Sequence, residues 1–192
     1  MSHVDDTLLA PIVGRFGRPR SWDGSRELTE RDRRTIVHST EKGRSHDVTF
    51  FIVQAGRVVV IRKPFFPPGA WRPPSGGVAA GESLEQGAMR EALEETGLET
   101  EITGYPLVAE SVFTYADQRI PWWSHVVTMR PLTHRIEPHD TREIAAARWA
   151  TFSELLGPVA AVLRASGSAL FDYRADLHQQ VAEALGSATG RA

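Results

Sequence analysis

A short stretch of the chain, residues 82–95, concentrates carboxylates that could bind a metal ion. Its glutamates are Glu82, Glu85, Glu91, Glu94 and Glu95, and Arg90 is its only cation. In a helix, Glu91 neighbours both Glu94 and Glu95, so these like charges repel one another. A divalent cation would reverse the sign of that interaction, because hard cations such as Mg²⁺ prefer oxygen ligands. An acidic face exposed to water is the alternative interpretation.

The surrounding sequence predicts that a helix over residues 84–96 positions these carboxylates. Ser83 and Gln86 have the spacing of a capping box, and Gly97 followed by Leu98 is typical of a helix end. At about 100° per residue, one face of this helix is apolar and is expected to pack on a sheet. That face comprises Ala88, Met89, Ala92 and Leu93.

A glycine-rich loop leads into the predicted helix. Gly76, Gly77 and Gly81 let the backbone approach a ligand closely, so it could offer carbonyl groups to a metal or N–H groups to phosphate. Arg90 precedes Glu94 by four positions. We therefore expect Arg90 to orient that carboxylate from behind the site.

The bulk composition narrows the functional class. A chain of 192 residues, 41% hydrophobic and 24% charged, is typical of one globular domain. A net charge of -2 gives no indication of nucleic-acid or membrane binding, and the absence of cysteine excludes disulfides and thiolate chemistry. No apolar run is long enough to span a bilayer, and the N-terminus is a poor signal peptide, so we expect a cytoplasmic protein.

The rest of the chain predicts a layered α/β or α+β domain. Residues 1–45 are interpreted as an N-terminal extension that packs on a domain of residues 46–192. Prolines and glycines keep the start of the extension irregular, and one short helix follows at 27–40. The predicted strands are 47–53 and 57–61, which form a hairpin, and segments near 105–116, 122–130 and 146–152. Residues 62–77 form a long loop, and two helical patterns end the chain.

The residues at the predicted metal site resemble the Nudix box, written G-x5-E-x7-R-E-U-x-E-E-x-G-U, where U is a bulky aliphatic residue. The match consists of Gly76, Glu82, Arg90-Glu91, Glu94-Glu95 and Gly97-Leu98. Two positions depart from the common pattern: Ala92 is a small residue at the first U, and Ala79 stands where many members have a glutamate. The resemblance implies a Nudix-like α-β-α sandwich with a mixed β-sheet between helices. It also implies hydrolysis of a diphosphate linked to another moiety.

The resemblance also implies roles for individual residues. Glu91, Glu94 and Glu95 would bind Mg²⁺, or alternatively Mn²⁺. Glu82 would assist directly or through water, and the Gly76 carbonyl would add a ligand. Arg90 would orient a glutamate. A metal neutralises phosphate charge and activates water, from which a carboxylate then removes a proton.

The general base varies across this family, so several carboxylates are candidates. Glu91 is one candidate from within the box. Outside it, the loop before a late strand offers Asp140 and Glu143, of which Glu143 is favoured. Glu110, inside a predicted strand, is a further candidate. The alternative interpretation of each carboxylate outside the box is that it has no catalytic role and is exposed to solvent.

Substrate-binding residues are sought in the long loop before the box. Phe66 and Trp71, together with Phe65, could stack on a base or another planar group, although packing within the protein explains them equally well. Arg62 and Arg72, with Lys63, are candidates for phosphate contacts. The expected partner is a small diphosphate, nucleotide-derived, and a homodimer is a general expectation for such proteins.

Three functions fit these observations. The first is a Mg²⁺-dependent pyrophosphohydrolase acting on a nucleoside diphosphate derivative or a similar small molecule. The second is a non-catalytic, nucleotide-sensing module on the same fold, although such modules often lose box glutamates that this chain keeps. The third, an isomerase of allylic diphosphates, usually relies on a reactive cysteine, which this chain lacks. The box does not specify what the diphosphate carries.

Overall fold

In a computed structural model, residues 6–41 and 44–189 are described, and their centre is a mixed eight-stranded β-sheet. This description leaves out residues 1–5 and 42–43 of the predicted N-terminal extension and residues 190–192 at the end of the predicted domain. The strands are β1 (Arg20–Trp22), β2 (Arg26–Glu27), β3 (His46–Gln54), β4 (Arg57–Arg62), β5 (Ser75–Gly76), β6 (Thr100–Tyr115), β7 (Gln118–Pro131) and β8 (Ala146–Thr151).

The strand order along the sheet is β1-β6-β7-β3-β4-β8, with β2 beside β6 and β5 beside β3. The β3–β4 hairpin and the long β6–β7 hairpin are antiparallel, whereas β3 and β7 run parallel, so the sheet is mixed. All three strand regions predicted after the box are present, and β6 begins earlier than predicted. The two-residue strand β5 lies within the predicted long loop and pairs with β3.

Helices cover both faces of the sheet. They are α1 (Asp6–Phe16), α2 (Glu30–Glu41), α3 (Leu84–Thr96), α4 (Phe152–Glu154), a π-helical turn (Leu155–Val159), α5 (Ala160–Ala165) and α6 (Ala169–Thr189). No helix among the described residues is long and apolar enough to cross a membrane.

Alternation along β3 divides the core into two layers. Phe50 and Ile52 belong to a buried cluster that includes Ala88 of α3, while Phe51, between them, belongs to a second cluster that includes Leu177 of α6. Successive residues of a strand point to opposite faces, so one central strand supports a helix layer on each side. The predicted α-β-α sandwich is confirmed.

The helix α3 begins and ends as predicted. The Ser83 side chain accepts a hydrogen bond from the Gln86 backbone N–H, the Gln86 side chain accepts one from the Ser83 backbone, and Gly97 ends the helix at φ 74°. One part of the predicted apolar face is wrong, because Met89 is 38% exposed. Gly87 and Glu95 are buried in its place, so the buried stripe is rotated toward the carboxylates.

The prediction that the chain starts irregularly is also wrong. Helix α1 continues through Pro11, although proline lacks the N–H that an interior helical position would donate. Its neighbour Ile12 is fully buried in the core cluster beneath α1 and α3. Burying such a side chain contributes roughly 2 kcal/mol, so packing offsets much of the local penalty.

Within the extension, Asp32 joins α2 to the C-terminal helix. Its carboxylate accepts hydrogen bonds from Thr29 Oγ1, Ser168 Oγ and the Ala169 backbone N–H, at 2.7, 2.6 and 2.9 Å. Asp32 therefore caps the N-terminus of α6 from a distant part of the sequence, where a negative charge is stabilising. The extension is thus tied both to the sheet through β1 and β2 and to α6.

Stability is predicted to fall on acidification because of His178 on α6. This side chain is fully buried beside Phe51, and neither ring nitrogen has a hydrogen-bond partner among the described residues. Burial, together with the charges of Arg174, Arg72 and Arg164, lowers its pKa to about 3. The unfolded chain takes up the proton near its ordinary pKa of 6.5, so stability is highest above that pH and declines below it.

Urea unfolding at about pH 7 and about pH 5 tests this expectation. The His178→Leu variant should lose less free energy of unfolding across that interval than the native protein, by roughly 2 kcal/mol. Equal losses in the two proteins would show that His178 is not held neutral.

Candidate functional site

The guanidinium of Arg90 binds the carboxylates of Glu82, which precedes α3, and of Glu91 and Glu94 on α3. Its Nε and Nη2 donate to the two oxygens of Glu82 at 2.7 and 3.0 Å, and its Nη1 donates to Glu91 at 3.0 Å and Glu94 at 3.1 Å. Nη2 also donates to the Gly77 carbonyl at 3.1 Å. These bonds to carboxylates raise the pKa of Arg90, and the Arg90 bond lowers the pKa of Glu82.

The Glu91 carboxyl group lies directly against Gly76. A Cβ atom added to Gly76 would overlap the carboxyl carbon and one oxygen of Glu91. Gly76 is held in β5, where it pairs with Val48 of β3, so it cannot move aside without breaking the sheet. The sheet and α3 therefore meet at a point where only glycine leaves room for the carboxylate.

Glu95 is the most buried carboxylate of the group, with 4% of its surface exposed. Its Oε2 accepts a hydrogen bond of 3.0 Å from the Ser75 backbone N–H, and its Oε1 lies 3.6 Å from Lys63 Nζ. Burial raises the pKa of Glu95 to about 7, although Arg72 and Lys63 oppose that shift. A cation placed beside Glu95 would stabilise its ionised form.

The loop that carries Asp140 and Glu143 is docked on α3. The Glu94 backbone carbonyl accepts hydrogen bonds from the N–H groups of His139 and Asp140, both at 3.0 Å. Asp140 Oδ1 then accepts from the Glu143 N–H at 3.1 Å, which fixes the turn. Glu143 is 63% exposed and lies 2.7 Å from Lys63 Nζ.

These elements enclose a cavity of about 1100 Å³. The three box glutamates that were predicted to bind metal all line it, as do Gly76 and Glu143. Cationic side chains also line the cavity, among them the buried Arg72 and the largely buried Arg174, together with a group of aromatic side chains. The principal aromatic residues are Phe65, Phe66, Phe171 and Tyr173.

Arg72 and Arg174 are held by neutral and acidic groups. Arg174 donates to Asp47 and, at 2.7 Å, to Thr49 Oγ1. Arg72 Nη1 donates to the Pro73 carbonyl at 2.9 Å and to Ser75 Oγ at 2.8 Å. Burial lowers the pKa of Arg72 to about 10, so an anion in the cavity would stabilise its charge.

Three other candidate residues from the sequence do not line the cavity: Arg62, Trp71 and Glu110. Arg62 does not line the cavity, whereas Lys63 does, since consecutive side chains of an extended chain point in opposite directions. Trp71 packs against the core cluster, with the Arg148 guanidinium 4.4 Å from its ring, and also lies outside the cavity. Glu110 accepts a hydrogen bond from Ser21 Oγ at 2.9 Å in the contact between β6 and β1.

Several residues that line the cavity could not be identified as site residues from the sequence. Arg174 and Phe171 belong to α6, and Arg44 follows α2, so only the tertiary fold brings them to the box. Phe66 does line the cavity, but it is buried and its ring meets that of Phe171 edge-on at 4.9 Å. Phe65 is 68% exposed and is the more accessible aromatic surface.

The donor set fits a hard cation, although the carboxylates are not gathered around one point. Among the described residues, no three His, Asp or Glu side chains converge as the ligands of one ion would. Instead, Glu91 and Glu94 are paired with Arg90, and Glu95 with Lys63. The three carboxylates share one cavity, and Gly76 leaves space beside Glu91, so rotation of these side chains would offer oxygen ligands to Mg²⁺.

Comparison with known proteins establishes the family. Residues 43–169, well over half of the chain, match the NUDIX domain family, and the protein belongs to that family. Nudix hydrolase 6 of Arabidopsis thaliana is 33% identical over 86 residues, and Nudix hydrolase 10 of the same plant is 36% identical over 89 residues. Each match covers 45% of this chain but only 30% of the relative.

Solved structures include similar folds. A NUDIX hydrolase from Nitrosomonas europaea matches with 24% identity and a TM-score of 0.45, covering 57% of this chain and 58% of that one. A UDP-X diphosphatase matches with 17% identity and a TM-score of 0.47, covering 79% of this chain and 62% of that one.

Substitution of Gly76 tests the close approach of Glu91. In Gly76→Ala, the added methyl group would displace the Glu91 carboxylate, so Mg²⁺ affinity should fall by about tenfold or more. Isothermal titration with Mg²⁺ measures this change directly. Gly14→Ala, where an added Cβ meets no atom within 4 Å, is the matched control and should bind Mg²⁺ as the native chain does. Unchanged affinity in Gly76→Ala would contradict a metal-binding role for Glu91.

Proposed function

We propose that the protein is a Mg²⁺-dependent pyrophosphohydrolase that cleaves the diphosphate linkage of a nucleoside diphosphate derivative. One observation carries this proposal. A set of carboxylates suited to a hard cation and a set of buried cations suited to phosphate face the same cavity. An acidic face that merely met water would not be opposed by Arg72 and Arg174.

The ion would be held by Glu91, Glu94 and Glu95, with the Gly76 carbonyl as a further ligand and Mn²⁺ as an alternative metal. When bound, such an ion neutralises phosphate charge and lowers the pKa of a coordinated water. Glu82 has a different part, because both of its oxygens are bonded to Arg90 and it does not line the cavity. Glu82 and Arg90 are positioning residues that keep Glu91 and Glu94 in place.

Glu143 is the proposed general base. Its carboxylate lines the cavity on the loop that docks on α3, and the nearby Lys63 ammonium orients it. A carboxylate so placed can accept a proton from an attacking water. Glu91 is the alternative base. The pH dependence of turnover in the Glu143→Gln variant distinguishes the two.

The cavity also supports a substrate larger than inorganic diphosphate. Its volume of about 1100 Å³ exceeds what the phosphates need, and Phe65 presents an exposed ring at its edge. A base could stack on that ring. Arg72, whose described hydrogen bonds go to the neutral Pro73 carbonyl and Ser75 hydroxyl, would contact phosphate oxygens. Arg62 and Trp71 have no part in this proposal. The cytoplasmic location inferred from the sequence stays a prediction.

The Glu94→Gln variant tests metal-dependent hydrolysis. Loss of one anionic ligand should reduce kcat by at least about a hundredfold for any diphosphate that the native protein cleaves with Mg²⁺. Glu85→Gln is the matched control, since Glu85 lies on the same helix but pairs with Arg15, 3.6 Å away and outside the cavity. Release of products from a panel of nucleoside diphosphate derivatives is the measurement. Nucleotide binding without turnover by the native chain would favour the sensing module instead.

The Glu143→Gln variant tests the base. If Glu143 removes the proton, kcat should fall by about a hundred- to ten-thousandfold, with little change in KM or Mg²⁺ affinity. The acidic limb of the pH–kcat profile should disappear as well. Glu137→Gln, on the same loop but outside the cavity, serves as the control. A normal pH profile in Glu143→Gln would assign the base to another residue.

A further inference from the structure

Arg44, at the end of the N-terminal extension, lies against the glycine pair that precedes the carboxylate helix. A Cβ atom added to Gly77 would overlap Nη1 of Arg44 and lie 3.0 Å from its Cδ. The adjacent Gly76 has the same relation to Glu91. One two-residue segment therefore admits a carboxylate beside its first glycine and a guanidinium beside its second.

Arg44 differs from Lys63, Arg174 and Arg90 in having no acidic partner among the side chains that the structure describes, a property it shares with Arg72. Lys63 pairs with Glu95 and Glu143, Arg174 pairs with Asp47, and Arg90 pairs with box glutamates. Among the residues whose side chains the structure describes, which do not include residues 41–43, no carboxylate lies within ion-pair distance of Arg44. Its buried Nε has no hydrogen-bond partner among them. The contacts described for Arg44 are with neutral groups, Ser39 and Gly77.

The contacts with Ser39 come from helix α2. Arg44 Nη2 donates to Ser39 Oγ at 3.3 Å, and the Arg44 backbone N–H donates to the Ser39 carbonyl at 3.2 Å. Helix α2 is itself fixed by buried Ile36 and by Asp32, which caps α6. The guanidinium is thus oriented by a helix that is itself bonded to α6, and no carboxylate among the described side chains neutralises its charge.

We propose that Arg44 binds a phosphate oxygen of the substrate, next to the phosphate that the box glutamates hold through the metal. This inference rests on the proposed function. Both Arg44 and Ser39 line the cavity beside Gly76, Gly77 and Glu91. A guanidinium with free donors and no acidic partner is suited to a phosphate, which supplies the missing charge and hydrogen-bond acceptors. The extension is then part of the substrate-binding site.

Titration with ADP in the presence of Mg²⁺, with adenosine as an uncharged comparison, tests the proposal. The Arg44→Ala variant should bind ADP about ten- to a hundredfold more weakly and bind adenosine as the native chain does. Arg34→Ala is the matched control, because Arg34 lies on α2, pairs with Glu30 and does not line the cavity. Arg44→Lys should recover part of the lost affinity, since it keeps the charge but not the planar fork.

Substitution of Gly77 provides a second test that leaves Arg44 in the chain. The methyl group in Gly77→Ala would push aside a flexible side chain rather than backbone, so the fold should survive. ADP affinity should fall as in Arg44→Ala, and the double variant should be no weaker than either single variant. Mg²⁺ affinity should stay at its native value in Gly77→Ala, in contrast to Gly76→Ala.

Two results would overturn the proposal: native ADP affinity in Arg44→Ala, or weakened binding of adenosine to the same extent as ADP. Either result can occur while Glu94→Gln still abolishes hydrolysis, so the role proposed for Arg44 can be disproved without disproving the proposed function. Conversely, the native protein could hydrolyse no diphosphate while Arg44→Ala still loses ADP binding selectively. That outcome would support phosphate binding by Arg44 and contradict the proposed hydrolase activity. If Arg44→Ala does not fold, Gly77→Ala decides the question.

Discussion

The guanidinium of Arg90 is the interaction on which the arrangement of the site depends. Helix α3 carries Glu91, Glu94 and Glu95 on neighbouring turns, and their mutual repulsion opposes the helix. Arg90 offsets that repulsion for Glu91 and Glu94 and binds Glu82 and the Gly77 carbonyl as well. A single planar side chain thereby fixes the glycine loop, the helix and three carboxylates relative to one another.

Close backbone approach is the second constraint, and it explains why the loop before the helix contains adjacent glycines. Strand β5 brings Gly76 against Glu91, and the next residue, Gly77, has Arg44 beside it. The space that a Cβ would occupy is filled by charged groups of opposite sign. Because β5 is paired with β3, these groups are positioned by the central sheet and not by the loop alone.

The parts of the structure that could be predicted from the sequence depend on local interactions. The capping box of Ser83 and Gln86 and the stop at Gly97 are set within a few residues, and the helix has the predicted bounds. The predicted irregular start was wrong because core packing outweighs the unfavourable effect of Pro11 on a helix. Arg174 could not have been found, since its place beside the box follows from the docking of α6 across the sheet.

The box and the surrounding cavity therefore have different origins within the fold. The box supplies a local acidic surface, whereas the opposing cations and aromatic rings come from the loop before β5, which carries Arg72 and Phe66, and from two more distant segments, the extension and α6. Asp32 links these two distant segments, because its carboxylate lies on α2 and caps α6. A change in either segment would alter the cavity wall while leaving the carboxylates in place. Selectivity for the group carried by the diphosphate can thus vary without altering the metal chemistry, because the two depend on separate contacts.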